Sequence, residues 1–90
     1  MDLGFDISFS IDLNLPKEII DSIEEEFIFE AIESNKLLFG GGHINGVTEG
    51  FITNMNGGGI SQIQIKGITT WLDMKEHIQS YRIGKLKNAN

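Results

Sequence analysis

PKEIIDSIEEEFIFEAIESNKLLFGGG, Pro16 to Gly42, is the stretch whose reading decides the fold. Its spacing predicts an amphipathic helix, a stop, a short strand and a glycine turn. Pro16 suits a first helical turn, where a missing N–H costs nothing. Asn14 just before it is the expected cap. Ile20, Ile23, Phe27 and Ala31 recur at three- and four-residue spacing, and Ile19, Ile28 and Ile32 widen the apolar stripe. Glu18, Glu25, Glu26 and Glu33 fall on the opposite side. Asn35 is expected to end the helix in the left-handed conformation. Phe29 breaks the pattern: at the angular step of an α-helix it points away from the Ile20–Phe27 face, into the glutamates.

Working outward, Phe5, Ile7, Phe9, Ile11 and Leu13 alternate with Asp6, Ser8, Ser10 and Asp12, the pattern of a strand with one buried and one wet face. Lys36–Phe39 reads as a short second strand. Gly40–Gly42 and Asn45-Gly46 then supply a hairpin connection. Val47–Met55 reads as the third strand, with Val47, Phe51 and Met55 on its core side. After Asn56-Gly57-Gly58-Gly59, pattern alone leaves two readings of Ser61–Lys75. Ile63 and Ile65 alternate like a strand. Ile65, Ile68 and Leu72 have helical spacing, with Ser61 as a possible N-cap. Gly67, Ile68, Thr69 and Thr70 weaken the helix on propensity. His77–Leu86 reads as a last strand and residues 87–90 as a frayed tail.

With a helix at Ser61–Lys75 the order is β-α-β-β-α-β. That predicts one α+β domain over residues 1–90, a ferredoxin-like sandwich with a four-stranded antiparallel sheet and two helices on one face. The other sheet face, with Asp6, Ser8, Ser10 and Asp12, is left open to water or to a partner.

Composition excludes several classes. The chain has 90 residues, 40% of them hydrophobic, and no cysteine, so a disulfide framework or thiolate metal site is out. MDLGFDIS has no basic and apolar leader, and no run approaches a membrane span; neither a signal peptide nor a membrane association is expected. The net charge of −6 argues against binding free DNA or bare nucleic-acid backbone. The glycine clusters match no phosphate-loop spacing, since Gly84-Lys85 is followed by Leu86. His43 and His77 would need a carboxylate such as Glu49 to form a metal site, and no spacing supports one. No nucleophile–base set is recognisable. No catalytic residue, metal site or cofactor is therefore expected. The remaining candidate is Phe29, ringed by Glu25, Glu26 and Glu33, read as an aromatic anchor in a protein interface. The plainer reading is an exposed aromatic.

These residues resemble the YggL family, described as binding the large ribosomal subunit of bacteria. The resemblance is carried by Leu3-Gly4-Phe5, by EEFIFEAIESNKLLFGGG ending at Gly42, by Glu49-Gly50-Phe51-Ile52, by Trp71-Leu72 and by Ser80–Leu86. It implies a helix ending at Trp71-Leu72 and a cytoplasmic, non-enzymatic accessory protein whose partner is the large ribosomal subunit. Many relatives carry a basic N-terminal arm, whereas this chain starts almost directly at its first strand. A small-ligand or enzymatic domain on the open sheet face, and a homodimeric interaction module, are the alternatives.

Overall fold

The computed structural model describes residues 3–88. Alternation governs β1 (Leu3–Ile11): Phe5, Ile7, Phe9 and Ile11 enter the core, each at most 2% exposed. Asp6, Ser8 and Ser10 occupy the other face. The strand ends at Ile11, so Leu13 lies beyond the alternation and is exposed. The Asp12 carboxylate accepts the Asn14 backbone N–H, a local turn that competes with capping. Asn14 therefore does not cap the helix. Pro16 holds the cap position, without a side-chain bond, ahead of α1 (Lys17–Glu26).

α1 continues as a π-helical segment, Phe27–Ile32, and a 3₁₀ turn, Glu33–Asn35. The Glu33 N–H reaches the carbonyls of both Ile28 and Phe29. The wider π turn lets two adjacent side chains, Ala31 and Ile32, face inward together. Phe27 is fully buried, with ring centroids of Phe9, Phe39 and Trp71 at 4.9, 5.4 and 5.6 Å. The left-handed stop falls one residue later than expected. Lys36 adopts φ 59°, while the Asn35 side chain donates back to the Ala31 carbonyl.

β2 (Leu37–Ile44) and β3 (Val47–Asn54) form a hairpin. Its turn is Asn45-Gly46, both with positive φ, the requirement of a tight two-residue connection. The glycines 40–42, expected in the turn, instead extend β2. The register Phe5↔Ile52 and Phe9↔Thr48 puts Ile52 and Thr48 on the core face. Val47 and Phe51 consequently lie on the outer face, and Met55 lies past the strand end and exposed. The expected core side of β3 is thus the opposite one, because a single-residue change of phase exchanges the faces. Phe51 is half-buried because its ring covers Gly4, where an added Cβ would clash with it.

Ser61–Lys75 resolves as helix. α2 (Gln62–Met74) starts in a reciprocal capping box: Ser61 Oγ accepts from Gln64 N, and Gln64 Oε1 accepts from Ser61 N. Gly67 has a packing reason, since a Cβ there would stand 2.7 Å from Asn35 Oδ1. Ile68, Trp71 and Leu72 join the single cluster formed by the sheet's inward residues and α1.

β4 (Ile78–Ile83) and β5 (Lys87–Asn88) both pair with β1. The result is a five-stranded antiparallel sheet, ordered β2-β3-β1-β4 with β5 beside β1. Two expectations are corrected here. The sheet has five strands rather than four, and Lys87 and Asn88 are paired rather than frayed. Residues 89 and 90 lie outside the described ones. The architecture is α+β, with both α-helices on the core side of the sheet.

Candidate protein-binding surface

The π-helical segment presents Phe29 to solvent, 72% exposed, two positions after the fully buried Phe27. Two shallow depressions meet at its ring. One, of about 450 Å³, runs between α1 and β2 and is lined by Asp21, Glu24, Glu25, Ile28, Glu33 and, from the strand, His43. The other, of about 370 Å³, is lined by Ser22, Glu25, Glu26 and Glu30. The three glutamates singled out beside Phe29 in the sequence, Glu25, Glu26 and Glu33, all line these depressions. Glu25 and Glu33 are exposed. Glu26 is already engaged, with Lys75 Nζ 3.2 Å from its Oε2.

Glu30, which periodicity did not single out, joins the two helices. Its Oε1 accepts from Trp71 Nε1 at 2.9 Å and lies 3.3 Å from Lys75 Nζ. The Trp71 hydrogen bond, then that of Lys75, holds the Glu30 carboxyl below the ordinary carboxylate range. Burial works to lower the Lys75 pKa, but hydrogen bonds to Glu26 and Glu30 outweigh it and raise the ammonium above the usual lysine value. Lys75 also stands 5.2 Å from the Trp71 ring centroid. A surface aromatic and a ring of carboxylates are thereby mounted on a cross-braced base.

His43 belongs to β2 and not to a turn. Its Nδ1 lies 2.6 Å from Thr48 Oγ1 and 3.2 Å from Glu24 Oε2. Helix packing supplies Glu24 as the acidic neighbour, while Glu49, the carboxylate a metal site would have needed, points to the outer sheet face. Carboxylate and hydroxyl meet the same ring nitrogen, whereas a relay needs them on opposite nitrogens. Thr48 is also fully buried. The arrangement locks α1 to the β2–β3 hairpin and carries no nucleophile. His77 Nε2 lies 3.4 Å from Glu76 Oε1. Among the described residues no three metal-binding side chains converge.

The outer sheet face bears a wide trough of about 600 Å³ whose walls include Asp6, Glu49, Phe51 and Arg82. Lys87 bonds Asp6 at 2.7 Å and stands 5.5 Å from the Phe51 ring centroid. No helix among the described residues is long and apolar enough to cross a membrane.

No curated protein matches the chain. A family model does: the one described as YggL 50S ribosome-binding protein aligns with residues 1–90. The match runs through the buried Phe27 core, the acidic helix and the strand hairpin alike, and by it the chain belongs to the YggL 50S ribosome-binding family.

Proposed function

We propose that the protein is a non-enzymatic accessory factor of the cytoplasm that associates with the large ribosomal subunit, mainly through ribosomal protein. Family membership supports the subunit as partner. The observation that carries the protein-contact reading is Phe29, 72% exposed and bordered by Glu25, Glu26 and Glu33. Phosphate would be repelled by such a surface, whereas lysine- and arginine-bearing protein is attracted to it. An aromatic centre with a charged rim is the composition of a small protein interface. The scaffold is read as one ferredoxin-like domain extended by β5. The strand order β2-β3-β1-β4, with both helical connections skipping a strand, favours that reading.

The test is gradient co-sedimentation of the purified protein with isolated large subunits. Wild type is expected to travel with the subunit. Phe29→Asn is expected to weaken association by more than about 1 kcal/mol. Absence of wild-type co-sedimentation would remove the assignment; full retention by Phe29→Asn would move the contact elsewhere.

A further inference from the structure

β2 is an open edge. Among the described strands it pairs with β3 alone. The Met55 N–H bonds the Lys36 carbonyl at 2.9 Å, in register with the ladder. Bonded and non-bonded pairs alternate along an antiparallel ladder. Leu38, Gly40, Gly42 and Ile44 therefore bond toward β3. The N–H and C=O groups of Leu37, Phe39, Gly41 and His43 point away from β3; Leu37 is fully buried, so the open edge runs from Phe39 through Gly41 to His43. Exposed edges are usually blunted by proline, lysine or a bulge. LLFGGGHI contains neither residue, and its register is unbroken.

The two sides of this edge differ in chemistry. Toward the helices lies the groove of Asp21, Glu24, Glu25, Ile28, Phe29 and Glu33. On the outer face, Leu38 and Ile44 are 50% and 75% exposed. An added strand would send alternate side chains to these two sides. One set would meet carboxylates and the Phe29 ring, the other an aliphatic surface.

We propose that β2 takes up an extended segment of a partner protein as an additional antiparallel or parallel strand, and that this segment alternates basic and aliphatic side chains. Main-chain bonds to Phe39, Gly41 and His43 supply the affinity, and the two-sided surface supplies the selectivity. The proposal rests on the reading of the Phe29 surface as partner-binding, and names the part of the partner that it receives. A second copy of this chain fits worse, because it would bring another net charge of −6 to an acidic groove.

The probe is a short capped peptide of alternating lysine and valine, added to the isotope-labelled full chain. Two control peptides carry N-methyl groups on alternate residues, one in each phase. Expected are slowed hydrogen exchange at the Phe39, Gly41 and His43 amides, and roughly tenfold weaker binding for one methylation phase only. Glu25→Gln combined with Glu33→Gln should weaken binding several-fold while leaving the exchange pattern of the free protein unchanged. Equal affinity of the unmethylated peptide and both methylated ones, unchanged exchange at those amides, or no binding would overturn strand addition. So would protection of the same amides without peptide, accompanied by a dimer mass in sedimentation equilibrium. Subunit co-sedimentation read in parallel separates the two ideas. Retained co-sedimentation with a negative peptide result overturns only strand addition. A positive peptide result without co-sedimentation overturns only the ribosome assignment.

Discussion

Phe27 and Phe29, two residues apart, meet opposite environments. Phe27 contacts Phe9, Phe39 and Trp71 at the centre of the core. Phe27→Ala should cost about 3–5 kcal/mol in denaturant melts, since three rigid rings cannot collapse into the space left behind. Phe29→Asn should change stability by less than about 0.5 kcal/mol, as a surface substitution does. A strongly destabilised Phe29→Asn would place the ring inside the monomer. Both positions were legible in the sequence because the flanking isoleucines and glutamates set the phase of the helix. The inward side of β3 was not. Val47, Phe51, Ile52 and Met55 fall on both parities of VTEGFITNM, and the larger apolar residues favour the wrong one. Thr48 faces the core because His43 accepts or donates at its hydroxyl, which supplies the partner a buried hydroxyl needs. That partner comes from another strand, so no local pattern reports it.

At the scale of elements, α2 was half legible. Ser61 and Gln64 already spell a capping box, but Gly67 argues for a break until Asn35 is seen against it. This gives a double-mutant test. In an Asn35→Ala background, Gly67→Ala should stabilise α2 by about 1 kcal/mol, the propensity difference. In the native background the gain should be smaller by at least about 0.5 kcal/mol, because the new methyl meets the Asn35 amide. Equal gains in paired denaturation curves would show that the amide moves aside freely. The π-helical segment was not legible at all. Its consequence, Ala31 and Ile32 buried side by side, looks like an ordinary widened stripe. Its outward residue Glu30 braces Trp71 and Lys75, and this predicts a pH dependence. A carboxyl with a folded pKa below its unfolded one stabilises the protein above the unfolded value, and the contribution fades as pH falls through the folded value. Lys75 has the opposite sense: its raised pKa gives a contribution complete below the ordinary lysine value and lost as pH rises through the folded one. Glu30→Gln should therefore flatten the fall in stability between neutral and acid pH. An unaltered acid profile, measured by urea melts across that range, would assign the fall to other carboxylates.

The molecule as a whole carries 13 acidic against 7 basic residues. RNA contacts by several lysines or arginines weaken steeply with salt, because each neutralised phosphate releases counterions. Association with the subunit should therefore show a shallow salt dependence in co-sedimentation; a steep loss between low and moderate salt would place the contact on RNA. The order of elements was readable from the chain, because the β-α-β-β-α-β alternation needed only the nature of Ser61–Lys75. β5 was not, since two residues, Lys87-Asn88, have no period to detect.

That small strand makes the architecture nearly circular. The ladder partner of Asn88 is Leu3, so the two extremities of the described chain lie side by side, on the edge of β1 opposite β3. A short linker across them should close the backbone without disturbing β1. A label attached at either extremity would emerge at the same place, with β1 and β3 interposed before β2. Immobilising the protein by one extremity and reporting from the other is thus compatible with leaving the Phe29 groove unobstructed.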